Sequence, residues 1–95
     1  RELGRVSVVG KKEAVNVFEP ILPTVFEKKE KIYKGFAIAL KLFYDGKLTD
    51  AKKYFDALSK YDAPSKSYAE RCEQLLKKGD FNPALWNGVW VASSK

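Results

Sequence analysis

The stretch from Arg1 to Pro20 constrains this chain more than any other. Arg5-Val6-Ser7-Val8-Val9 and Ala14-Val15-Asn16-Val17-Phe18 are β-branched runs joined by Gly10-Lys11-Lys12-Glu13. Val6 and Val8 fall on one face of their strand, Val15 and Val17 on one face of theirs, which is a hairpin signal. A two-stranded hairpin is marginal in water by itself. The chain beyond Pro20 is helical and charged, with no further strand to join until the last few residues. The hairpin therefore reads as the final pair of strands of a sheet that begins upstream of Arg1, and the chain as a fragment of a longer protein.

The prolines of Pro20-Ile21-Leu22-Pro23 make a stiff connector, because neither can donate a ladder hydrogen bond. Beyond it the apolar period becomes helical. Phe26, Tyr33, Phe36, Ala37, Leu40, Phe43 and Tyr44 recur at three- and four-residue steps and predict a first helix over about Val25 to Tyr44. Glu27 near its start suits the helix dipole, and Gly46 stands in the capping place after its end. Thr49 is the expected N-cap of a second helix running to about Tyr61, with Ala51, Tyr54, Phe55 and Leu58 as its stripe. Ala63-Pro64 with Ser65 or Ser67 opens a third, over about Ser65 to Lys78, with Tyr68, Cys72, Leu75 and Leu76 inward and Gly79 as its stop. The aromatic tail, Phe81 to Val91, supplies apolar surface that three short helices lack. Trp86 and Trp90 are expected to fold back as a non-helical cap.

Helix, glycine turn, helix is the layout of a tetratricopeptide unit. Ala39, Gly46, Leu48, Ala51 and Phe55 fit its small, glycine, large, alanine and aromatic positions, whereas Gly35 stands where Trp is typical and Pro64 comes one residue late. One such repeat cannot bury both its faces, so it needs neighbours. The expected fold is mainly α: an N-terminal β-hairpin, a tetratricopeptide-like helical hairpin, a third helix and an aromatic tail.

Composition narrows the function classes. At 95 residues the chain makes one small domain, and 45% hydrophobic with 14% aromatic residues is a globular composition. There is no histidine, which removes the commonest general base and metal ligand. Cys72 has no partner cysteine and lies on an apolar stripe, so it reads as core. A single cysteine fits a reducing compartment. Asp45, Asp50, Asp56 and Asp62 fall at turns or on outward faces, where capping and solvation explain them. No Walker-type loop or dinucleotide fingerprint occurs, and no catalytic or metal site is assigned.

Two stretches carry a family resemblance. Arg1-Glu2-Leu3-Gly4-Arg5-Val6-Ser7-Val8-Val9-Gly10-Lys11-Lys12-Glu13-Ala14-Val15-Asn16-Val17-Phe18-Glu19 resembles the closing hairpin of class III adenylate and guanylate cyclase catalytic domains, roughly R-E-L-D-x-(hydrophobic)-x-V-K-G-K-x-E-P-V-x-V-(aromatic)-E. Gly4 stands where Asp is common, Val9 where the first Lys of V-K-G-K sits, and Ala14 where Pro is common. Gly35 to Lys95 resembles the C-terminal extension of bacterial membrane-anchored cyclases, through Ala51 to Leu58, Tyr68-Ala69-Glu70-Arg71-Cys72 and Trp86-Asn87-Gly88-Val89-Trp90-Val91. The resemblance implies residues 1–20 as the end of a catalytic domain and 24–95 as a helical accessory domain. It implies a cytoplasmic location at the end of a membrane-anchored parent. That parent would convert ATP or GTP to a 3′,5′-cyclic nucleotide and pyrophosphate with Mg or Mn ions held upstream, leaving no cofactor in this part.

The same resemblance gives Lys11 a role on the substrate triphosphate, which a compact, mobile charge suits; a solvated turn lysine is the plainer reading. It implies as partners the upstream catalytic domain, a second copy in a homodimer, and protein segments held by the helical module. The net charge of +6, with Lys28, Lys29, Lys31 and Lys34 close together, reads by default as a solvated, salt-sensitive helix face; in an anchored parent it also fits attraction to an anionic membrane surface, with any membrane contact only indirect. Nucleic acid is not expected, because the aromatics lie on the packing stripe rather than beside the lysines. A second reading makes the chain a self-standing tetratricopeptide-like adaptor. An adaptor should satisfy its hairpin internally, with Gly88 to Ala92 as a third strand, whereas a cyclase fragment should leave an open strand edge.

Overall fold

The computed structural model describes residues 1–8, 13–79 and 81–92. Strands β1 (Glu2–Val8) and β2 (Val15–Phe18) precede helices α1 (Pro23–Tyr44), α2 (Leu48–Leu58) and α3 (Ala63–Lys78). A short 3-10 turn, Pro83–Leu85, then leads to strand β3, Val89–Ala92. The fold is mainly α with an N-terminal hairpin, as the sequence predicts.

The tail is where the fold departs from expectation. It does not end as an irregular cap, because β3 joins the hairpin in the order β2-β1-β3. β1 pairs antiparallel with β2, with Val6 opposite Val15, and parallel with β3, with Val6 opposite Trp90. The register of β1 against β2 shifts between Glu2 and Gly4, a local bulge that re-aims the strand start.

Helix α1 begins at Pro23, whose fixed φ and missing N–H cost nothing in a first turn. Glu27 therefore lies beyond the first turn, where the dipole acts weakly. The helix is kinked at Lys29, with φ −117° and ψ 20°. It ends in a Schellman motif: Gly46 takes φ 81°, its N–H reaches the Phe43 carbonyl at 3.1 Å, and the Lys47 N–H reaches Leu42 at 2.9 Å. Thr49 is not the N-cap of α2, which starts at Leu48 without a side-chain cap. Asp62 caps α3, accepting from the Ser65 N–H at 3.2 Å. Gly79, at φ 74°, stops that helix in the left-handed conformation.

The core lies between the three helices. Tyr68 sits at its centre with ring centroids 5.0 Å from Phe43, 5.0 Å from Phe55 and 5.8 Å from Phe36. Small residues let α1 and α2 approach, with Ala39 and Ala51 fully buried and a methyl of Leu58 lying over Gly35. The apolar period of the sequence is slightly wider than the buried stripes: Ala37, Tyr54 and Leu76 are exposed.

Candidate functional site

The densest convergence of charged and polar groups lies where the start of β1 meets the helices. Local pattern accounts for each element, but the meeting point is made by residues far apart in the chain. Arg1 places Nη1 2.9 Å from Asp62 Oδ2 and Nη2 2.8 Å from Glu19 Oε1, with its side chain 7% exposed. Its guanidinium also lies 4.7 Å from the Tyr33 ring centre and 4.9 Å from that of Phe36. A planar, weakly hydrated cation suits this place, forking between carboxylates while stacking on rings. Burial alone would raise the Asp62 carboxyl, but hydrogen bonds from Arg1 and Ser65 hold it below the ordinary range. Burial likewise opposes the Arg1 charge, and Asp62 and Glu19 outweigh it, raising its pKa.

The next residues of β1 are held in turn. The Tyr44 hydroxyl donates to the Glu2 carboxylate. The Tyr68 hydroxyl donates to the Leu3 carbonyl at 2.6 Å. Gly4 has φ 142°, and a Cβ built there would stand 1.7 Å from that hydroxyl. Glycine at position 4 thus has a local cause, since any side chain there would meet Tyr68. Arg5 stacks 4.0 Å above the Tyr44 ring and donates to the Asn87 carbonyl at 3.0 Å. Five successive residues of β1 and its approach are therefore engaged by groups from α1, α3, the loop before α3 and the tail.

The tail closes the junction from the other end. Trp86 folds back as expected, donating from Nε1 to the Phe43 carbonyl at 2.6 Å and meeting the Phe43 ring edge-on at 5.3 Å. Trp90 lies in β3, where Arg71 bridges it to Tyr68 at 5.0 and 4.6 Å from the ring centres. The tail is thus cap and strand at once.

The chemistry of this junction is that of a clasp. Burial and the bond to Glu2 push the Tyr44 phenol well up, and burial raises that of Tyr68, so neither is a ready base. Cys72 is fully buried, and burial pushes its thiol up to about 12, as its core reading requires. No three His, Cys, Asp or Glu side chains converge to hold a metal ion among the described residues. Lys11, the residue given a phosphate role, lies outside the described residues. Among the described residues no helix is long and apolar enough to cross a membrane.

From the sequence Asp62 reads only as a cap or surface acid, and no local pattern gives Arg1 or Glu2 a structural task. Only the proline and serine spacing after Asp62 pointed to a cap there; nothing local pointed to Arg1, whose partner stands at the far side of two helices. Comparison with protein-family models, with curated proteins and with solved structures gives no match.

Proposed function

We propose that this chain is the closing hairpin and C-terminal accessory module of a bacterial class III nucleotide cyclase, acting to brace the end of the catalytic sheet. The observation that carries the reading is the clasp on β1. Arg1, Glu2 and Leu3, which carry the R-E-L resemblance, are each engaged by Asp62, Tyr44 or Tyr68. A force or displacement on β1 is then felt by all three helices, because Tyr68 stands at the centre of their common core. β2 supports the same reading, since all four of its residues are exposed and it forms one edge of the sheet, open to a further strand.

In this reading the parent makes a 3′,5′-cyclic nucleotide and pyrophosphate from ATP or GTP in the cytoplasm, at the end of a membrane-anchored protein. The divalent ions and transition-state groups belong to upstream residues, and Lys11 in the hairpin turn reaches the triphosphate. The helical module holds the hairpin in register and supports the homodimer. The test is cyclic-nucleotide turnover of the parent with and without Val25 to Lys95, at matched folded concentration. Loss of turnover on removal supports bracing; unchanged turnover with an unchanged dimer overturns it.

A second reading, the self-standing protein-binding adaptor, draws on one specific feature. β3 joins β1, so the hairpin finds a third strand within the chain. An adaptor of this kind would be a strict monomer, with Lys11 a solvated turn residue.

A further inference from the structure

Strand β2 is the least covered strand of the sheet. Its neighbour β1 is packed on both sides, with Tyr68 and Arg71 beside Leu3 and Val6, and Tyr44 beneath Arg5. β2 is exposed along its whole length, Val15 by 59%, Val17 by 37% and Phe18 by 64%. Arg1 and Glu19 exchange backbone hydrogen bonds, each nitrogen donating to the other's carbonyl. The alternation of an antiparallel ladder then turns the N–H and C=O of Val15, Val17 and Glu19 toward β1, and those of Asn16 and Phe18 outward. Natural sheets guard such an edge with lysine, proline or a bulge. Val15 to Phe18 holds no charge and no proline, and the bulge of this hairpin lies in β1.

We infer that β2 is an interface between two copies of this chain, their β2 strands pairing antiparallel about a two-fold axis at Asn16. The three-stranded sheet then continues into one of six strands. On this axis the outward groups of Asn16 meet those of Asn16 in the second copy. Val15 of each copy stands opposite Val17 of the other in a non-hydrogen-bonded pair, where Cα atoms are only about 4.5 Å apart and side chains pack closest. Four valines exposed in the single chain thus cover one another. The row of Trp90, Val6 and Val15 on the same face runs on across the junction.

The valines choose this occupant and this register. An axis at Val17 would set Val15 against Glu19, which is committed to Arg1. An extended segment of another protein would meet the same backbone groups, but no charge on β2 selects one, whereas a second copy brings the matching valines. The axis stands perpendicular to the sheet, so both α3 helices lie on one side of it. At about 4.8 Å between strands the two copies of β1 are about 14 Å apart, room for two helices about 10 Å across. The inference rests on β2 alone and not on the cyclase reading. A dimeric chain from a parent without turnover, or a monomeric chain from a parent with it, tells the failure of one from the failure of the other.

Sedimentation equilibrium of the whole chain should show a mass rising from one chain to two with concentration. Cysteine variants read the register, because Cys72 is buried and does not compete. Val15→Cys mixed with Val17→Cys should form a disulfide between unlike chains at least about tenfold faster than either variant with itself, since like positions are diagonal neighbours about 7–8 Å apart. Val15→Lys with Val17→Lys, at two exposed positions, should keep the chain monomeric while its helix content and the burial of Cys72 stay unchanged. A single-chain mass at every concentration, or coupling of like variants as fast as unlike ones, overturns the inference. So does association that survives both lysines, which belongs to another surface such as the exposed Ile38 and Tyr54.

Discussion

The hydroxyl of Tyr68 occupies the space that a side chain on Gly4 would need. It donates to the Leu3 carbonyl at 2.6 Å, and a Cβ on Gly4 would come within 1.7 Å of it. Tyr68 is also the aromatic centre of the helical core, so one side chain ties the sheet to the bundle by its hydroxyl and fills the bundle by its ring.

Gly4→Ala is accordingly expected to destabilise by more than backbone strain alone, which at φ 142° costs about 1–3 kcal/mol. Tyr68→Phe should cost about 1–2 kcal/mol by leaving the Leu3 carbonyl without its donor. The double variant separates the effects: Gly4→Ala should cost less beside Phe at position 68, where the hydroxyl is gone. Additive costs in urea melts would contradict the contact.

The clasp on Arg1 makes a statement about pH. Asp62 is held below its ordinary value, so its contribution is complete above the unfolded value of about 3.9 and is lost as pH falls through the lower folded value. Asp62→Asn keeps a competent N-cap and removes the charge, and is expected to cost about 2 kcal/mol at neutral pH, with Glu19 still beside Arg1. The gap between the two proteins should close below about pH 4. A constant gap down to about pH 2 would deny the ion pair its role.

Trp86 closes the C-terminal end of α1. Trp86→Ala should lower stability by about 2–3 kcal/mol, since it removes a half-buried ring and one of the two donors to the Phe43 carbonyl. Truncation after Gly79 should do more, because it also removes β3 from β1. An unchanged melting temperature in either variant would show the tail to be unattached.

Cys72 offers a probe of the core that leaves the surface alone. With the thiol buried and pushed up to about 12, a disulfide reagent at pH 8 should react only through opening of the chain. Rates that rise with denaturant and match unfolding are expected. Prompt reaction of the native chain would place Cys72 at an accessible surface.

Much of this architecture is legible in the sequence where the controlling interactions are local. The three-and-four spacing of Tyr33, Phe36, Leu40 and Phe43 fixes the inner face of α1, and Gly46 marks its end, because helix periodicity and left-handed caps act within a few residues. Helix starts are less legible. Thr49 has a capping side chain but sits inside α2, because the Schellman turn after α1 already delivers the chain into a helix at Leu48. Tyr54 and Leu76 satisfy the apolar period yet face out, since α2 and α3 bury narrower stripes than their sequences offer. The site is the least legible part. Arg1 with Asp62, Glu2 with Tyr44 and Leu3 with Tyr68 join the start of β1 to residues 61, 42 and 65 positions away, and no short-range rule reports on such pairs. The third strand is visible as a β-branched and aromatic run at Val89 to Val91, but its parallel place beside β1 is set only once the tail has crossed the end of α1.

The central claim is that the helices and β3 hold β1 in one cooperative unit with the core. Native-state hydrogen exchange of the whole chain tests it most directly. The amides of Arg5, Val6 and Ser7 should be as strongly protected as those around Tyr68 and Cys72, and truncation after Gly79 should strip that protection from β1. If β1 exchanges orders of magnitude faster than α3 in the intact chain, as a freely opening hairpin does, the clasp does not hold it and the bracing role falls.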